Sequence, residues 1–200
     1  MKRKFLTTLF VLLCFTTMVL AQNPIADIRK HYAEAQERVA QNEKLMNAED
    51  EYPTPNYRQY NYVTLLPGSG RHEERLMMYE KSEENDYGEC VRKWIDFAIY
   101  KYNYGSRAFY EEFLYDENEE VEFVYAVNPD MQDFLGGEFR FYLKDGKLVK
   151  VLVKLRDNQT DNMEVQYEGQ DIPETYKSQY QIYIDRANQI RKLCAAARAL

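Results

Sequence analysis

The stretch from Phe139 to Leu155, FRFYLKDGKLVKVLVKL, constrains the fold of this chain more than any other. Two runs rich in aromatic and branched residues flank Asp145-Gly146. Asp-Gly suits a two-residue type I′ turn, because both central positions need positive φ and glycine reaches it without a steric penalty. The stretch therefore reads as a β-hairpin. Closed at those two residues, it sets Leu143 opposite Leu148, Tyr142 opposite Val149 and Phe141 opposite Lys150. One face would carry Phe139, Phe141, Leu143, Leu148 and Leu152. The other would carry Tyr142, Val149, Val151 and Val153. Apolar residues on both faces predict a central hairpin with something packed on each side. Lys150 is expected to lay its stem over the core with its charge in water, the alternative being a cation–π contact with Phe141.

Strand-like segments lead up to this hairpin. Tyr57–Leu66 ends at Pro67-Gly68-Ser69-Gly70, a strong turn signal. Arg71–Lys81 sets Leu76 and Met78 on one face. Val91–Asn103 alternates Val91, Ile95, Phe97 and Ile99 against Trp94, Ala98, Tyr100 and Tyr102. Arg107–Tyr115 places Phe109, Phe113 and Tyr115 together. Glu120–Val127 alternates Val121, Phe123, Tyr125 and Val127 against Glu122, Val124 and Ala126. Asn128-Pro129 opens a longer loop reaching Gly136-Gly137. With the hairpin this makes seven strands on short turns, an antiparallel meander. Beyond it, Arg156–Gln170 is polar, with room for a short strand at Met163–Tyr167.

Helical periodicity appears at the two flanks. Asn23-Pro24 has the residues of an N-cap and a first turn. Ile25, Ile28, Tyr32, Ala35, Val39 and Met46 then recur on one face, and the pattern fades near Ala48, before Pro53 and Pro55. His31 sits beside this stripe as a boundary residue. At the other end Asp171 with Glu174 matches a capping box. Tyr176, Tyr180, Tyr183, Ala187, Ile190, Cys194 and Ala197 form the stripe that follows. The fold class is α+β: a curved antiparallel β-meander of about seven strands, with an N-terminal and a C-terminal helix packed on the sheet.

Met1–Ala21 reads as a secretory signal peptide. Lys2, Arg3 and Lys4 precede the apolar run Phe5–Leu20, and Val19-Leu20-Ala21 supplies the cleavage pattern. The run is short for a membrane span. Cys14 lies inside it, so a lipoprotein site is not expected. Residues 22–200 are then a single exported domain, periplasmic or extracellular. The chain has 26 basic and 33 acidic residues, a net charge of −7, which falls to −10 when the three basic residues of the signal are removed. That balance argues against nucleic acid as a partner.

The pattern FRFYLKDGKLVKV resembles an aromatic strand, Asp-Asn-Gly-Lys-Leu and an apolar strand found in uncharacterised exported proteins of Gram-negative gut anaerobes. Several of these also carry Ile-Arg early in a first helix, as Ile28-Arg29 does here. Lys144-Asp145 stands where that pattern has Asp-Asn. The resemblance implies export and a sheet fold, and it implies no catalytic residue.

Catalytic signatures are sparse. Gly68-Ser69-Gly70 does not follow the phosphate-loop pattern. His31 and His72 are far apart and lack zinc-site spacing. Glu111 and Glu112 are neighbours on a strand and point to opposite faces. No cofactor is implied. The unusual feature is tyrosine, with 18 in the chain. A flat ring with one hydroxyl suits a protein or glycan surface as well as a packed sheet. Trp94, Tyr100, Tyr102 and Tyr142 are the candidates for an aromatic binding face. The turns at Glu83–Glu89, Asp116–Glu119 and Asp145-Gly146 share one end of a meander. Glu83, Glu84, Asp86, Asp116, Glu117 and Glu119 would form an acidic rim there, either a calcium or docking site or merely solvated turns. Cys90 and Cys194 would remain after export, as a disulfide or as two buried thiols. The leading functional reading is a non-enzymatic exported binding or structural protein. The alternative is a periplasmic carrier of lipid or another hydrophobic ligand, which needs an unfilled apolar cavity. Hydrolase activity is disfavoured.

Overall fold

The computed structural model describes residues 23–47, 57–68, 70–129, 136–157 and 162–199. The expected signal sequence, the Pro53 and Pro55 region, Ser69 and the centre of the loop before Gly136 lie outside the described residues. So does the Met46 side chain. Helix α1 spans Pro24–Asn47. Eight strands follow: β1 Tyr57–Leu66, β2 Gly70–Glu84, β3 Cys90–Tyr104, β4 Arg107–Tyr115, β5 Val121–Asn128, β6 Gly137–Lys144, β7 Lys147–Arg156 and β8 Met163–Gly169. Helix α2, Glu174–Arg198, closes the chain. The strands form one open antiparallel sheet in sequence order, β1 to β8. The segment 163–169 is thus a full edge strand, one more than the meander expected from sequence.

The helices lie on opposite faces. Ile28, Ala35 and Val39 of α1 pack with Met77, Tyr79, Phe97, Ile99, Leu114, Phe123 and Tyr142. Tyr183, Ala187, Ile190 and Cys194 of α2 pack with Met78, Ile95, Phe113, Tyr115, Phe141, Val151 and Val153. Each apolar stripe read from the sequence therefore has its own side of the sheet. The Tyr115 hydroxyl donates to the Ala187 carbonyl at 2.9 Å, fixing the height of α2. The start of α2 differs from expectation. Its N-cap is Pro173, with no side-chain cap, and the Asp171 carbonyl accepts from the Tyr167 hydroxyl at 2.7 Å. The expected capping box is not formed, because the helix begins two residues later than that pattern requires.

Asp145 and Gly146 both have positive φ, 50° and 70°, as the type I′ turn requires. The register changes beyond the turn. Leu143 faces Leu148, but Tyr142 faces Lys150 and Phe141 faces Val151, because Val149 is an extra residue in β7. Lys150 therefore does not lie over Phe141. It pairs with Glu168 of β8. Val151 and Val153 consequently join Phe139 and Phe141 under α2, whereas constant alternation assigned them to the other face.

The same device recurs across the sheet. Tyr79 faces Phe97 and Glu80 faces Ile95, so Asp96 is the extra residue of β3. Leu114 faces Phe123 and Tyr115 faces Val121, so Glu122 is the extra residue of β5. A bulge puts two successive side chains on one side and inverts the alternation beyond it. Ile95, Val121 and Leu148 accordingly pack on the α2 side, while Phe97, Phe123 and Val149 pack on the α1 side. The alternations read for β3 and β5 hold only on one side of these bulges.

Candidate binding cleft

The bulges aim two carboxylates at one residue of α1. His31 donates from Nε2 to Asp96 Oδ1 and from Nδ1 to Glu122 Oε2, each at 2.9 Å. Asp96 is buried. It also pairs with Lys81 at 2.8 Å and with Arg38. Burial opposes charge on His31, but the bonds to the two carboxylates outweigh it and push its pKa up to about 9. Burial likewise opposes the Asp96 carboxylate, and His31, Lys81 and Arg38 bring its pKa below the usual value. The next residue, Tyr32, and Gln36 one helical turn beyond it donate to the buried Glu112, which also accepts from Tyr110. These contacts pin α1 to the sheet in one azimuth.

With α1 so held, its first turns form one wall of a cleft of about 430 Å³, floored by β5 and β6 and lined by Ile28, Arg29, Tyr32, Phe123, Tyr125, Arg140 and Tyr142. The rings are mutually packed: Tyr32 meets Phe123 edge-on at 4.9 Å between centroids, and Phe123 meets Tyr142 at 4.8 Å. Arg140 lies 5.3 Å above the Tyr125 ring and Arg29 lies 5.7 Å above Tyr142. Arg140 also bonds Glu138 at 3.1 Å. Arg29 makes no ion pair with a described carboxylate, though it contributes to the lowered pKa of Glu168. Among the described residues the lining thus holds two guanidiniums, four aromatic rings and no carboxylate, on a chain whose net charge is −7. Stacking leaves the in-plane donors of Arg29 open to an anion, whereas Arg140 shares its own with Glu138.

A wider groove of about 660 Å³ crosses the far end of β1–β4. Its polar groups are engaged with one another: Asn103 donates to Arg71 and Gly105 carbonyls, Arg75 to Gln59, and Arg71 pairs with Glu73. Greater volume does not compensate for donors already used.

The four residues read as an aromatic face do not share one. Tyr100 and Tyr102 lie toward α2, where Arg186 sits 5.1 and 5.0 Å above their rings and pairs with the fully buried Glu111. Tyr142 belongs to the α1 side, and Trp94, across from Lys81 in the register, lies under Arg92. Glu111 and Glu112 do face opposite ways, one toward each helix. Glu111 Oε2 finds no hydrogen-bond partner among the described residues, and burial raises its pKa against the pull of Arg186.

The acidic turns do fall at one end, and their side chains serve the fold. Asp116 Oδ1 accepts from the Asn118 and Glu120 amides at 2.8 Å. Glu119 pairs with Arg198 and accepts from the Ile95 amide at 3.0 Å. The Glu117 carbonyl accepts from Arg92. In the β2–β3 turn it is Asn85 that gathers the amides of Tyr87 and Glu89, leaving Glu83, Glu84 and Asp86 exposed. No group of three metal-ligating side chains occurs among the described residues.

Cys90 and Cys194 are both free thiols, the first exposed and the second buried. Cys194 packs 3.6 Å from Glu80 Oε1, and Glu80 faces Ile95. Cys90 is five residues away along β3, roughly 17 Å at strand rise. A bridge needs Cα atoms within about 7 Å, so the disulfide is not made. The buried-pair alternative describes Cys194 alone.

The residues missed from sequence are Arg29, Tyr32, Phe123, Tyr125 and Arg140. In the sequence Tyr32, Phe123 and Tyr125 read only as members of an apolar stripe or alternation, and Arg29 enters only through the Ile28-Arg29 resemblance. The available signal was a pair of arginines beside aromatic residues, which many surfaces share. On the opposite side, Tyr180, Ile184 and Ile190 of α2 fill the face that a hydrophobic-ligand carrier would leave open. The fold and cleft define an α+β protein with an open eight-stranded meander between two helices and a cationic, aromatic cleft. No protein-family model matches the chain, and neither a curated protein nor a solved structure does.

Proposed function

We propose that the protein is an exported, non-enzymatic binding protein whose site is the cleft between α1 and β5–β6, and that it takes a small ligand joining an apolar or aromatic body to an anionic group. The carrying observation is the lining: Arg29 and Arg140 stacked on tyrosines, Arg29 without an ion pair among the described residues and Arg140 paired with Glu138. The volume of about 430 Å³ lies within the range of small-molecule sites. Among the described residues no histidine, cysteine or serine lines it, which supports binding over turnover. Export rests on the Lys2–Ala21 pattern and on the hairpin resemblance. No described helix is long and apolar enough to cross a membrane.

The test uses anilinonaphthalene sulfonate, a fluorescent ring system carrying one sulfonate, as probe. Saturable binding to one site is expected. Arg140→Gln and Arg29→Gln should each weaken it about tenfold or more, since a charge-assisted hydrogen bond contributes about 1.5–3 kcal/mol. The uncharged parent anilinonaphthalene should bind at least tenfold more weakly. Absence of saturable binding, or binding indifferent to both arginines, would overturn the proposal.

A further inference from the structure

We infer that β1 is a self-association edge, joining two copies of this chain through antiparallel β1–β1 pairing about a two-fold axis at Asn61. The sheet is open, and among the described residues β1 pairs only with β2. Its ten residues pair from Tyr57↔Tyr79 to Leu66↔Gly70 without a register shift. An edge strand presents a row of unpaired amides and carbonyls, and proteins protect such edges with lysines, prolines, bulges or brevity. β1 is ten residues long, with no lysine or proline and no bulge against β2. Its one charge, Arg58, lies next to the strand's first residue and pairs with Glu80 at 3.1 Å, leaving residues 59–66 uncharged. Tyr60, Tyr62, Val63 and Leu65 are 41, 57, 52 and 77 % exposed. The opposite edge is protected: β8 has seven residues, carries Glu164 and Glu168, and meets β7 across a bulge.

The occupant follows from the sequence of the strand itself. Tyr60-Asn61-Tyr62 is symmetric about Asn61, and the pairs beyond it, Gln59 with Val63 and Arg58 with Thr64, are uncharged on at least one side. A two-fold there sets Tyr60 beside Tyr62 of the copy, Asn61 beside Asn61, Gln59 beside Val63 and Arg58 beside Thr64. Aromatic rings meet on the α2 face and amides meet at the axis. No two like charges oppose each other, although each chain carries −7. The contact is isologous and closed, so it ends at a dimer.

The test is the mass of the purified protein across a concentration series, with crosslinking to fix the register. A concentration-dependent dimer is expected. In a Cys90→Ser background, Asn61→Cys should crosslink to its own copy on mild oxidation. Thr64→Cys should not, because paired copies place those positions roughly 20 Å apart at about 3.3 Å per residue. Tyr62→Lys with Val63→Lys should keep the circular dichroism spectrum of the parent and raise the dissociation constant at least tenfold. A single-chain mass at every concentration would overturn the inference. So would a dimer that fails to crosslink at position 61 or one that survives the double lysine substitution.

Discussion

The charge on His31 is coupled to folding, and the size of that coupling follows from the site. His31 is about one-fifth exposed and lies between Asp96 and Glu122, with Lys81 3.2 Å away and opposing. Arg38 of α1 and Lys144 of β6 reach it through those same two carboxylates. Its folded pKa is about 9 against an ordinary 6.5. A raised pKa means that the folded state holds its proton more tightly, so the stabilisation is complete below pH 6.5 and disappears as pH rises through 9. At 1.36 kcal/mol per pH unit the full effect is about 3 kcal/mol. The assay is urea denaturation at half-unit steps from pH 6 to 9.5, on the parent and on His31→Gln. Glutamine keeps a donor and lacks the charge, and subtracting the two curves removes every other titrating group. The parent should be more stable by about 3 kcal/mol at pH 6, and the difference should vanish near pH 9.5. A difference that is flat with pH would refute the reasoning, as would an imidazole NMR titration with its midpoint near 6.5.

Two further outcomes bear on the α2 side. Arg186→Ala should destabilise the protein by about 3–5 kcal/mol in chemical denaturation, because it leaves the fully buried Glu111 carboxylate unpaired. The double variant Arg186→Met with Glu111→Gln should cost less than that single change. In thiol titration of the native protein with a disulfide reagent, Cys90 should react at once. Cys194, buried and with its pKa pushed up to about 12 by burial and Glu80, should react only on unfolding.

The hairpin turn, the two helical stripes and the order of strands were legible in the sequence because each is a local matter. Asp145-Gly146 meets a φ requirement that few residues meet, and periods of 3.6 and 2 need no knowledge of partners. The opposite orientation of Glu111 and Glu112 follows from the same alternation. What the tertiary structure decided was the phase of that alternation. Asp96, Glu122 and Val149 have no local mark of a bulge, and each is an extra residue only relative to a neighbouring strand. One inserted residue changes the face of the side chains beyond it. That shift brings Asp96 and Glu122 together on His31 and moves Val151 and Val153 under α2. It also fixes α1 so that Arg29 and Arg140 share a cleft. The separation of Cys90 from Cys194 was decided in the same way, because the level at which α2 passes β3 depends on packing between distant segments. Local preference determined which elements form. Only their mutual register determined which side chains meet.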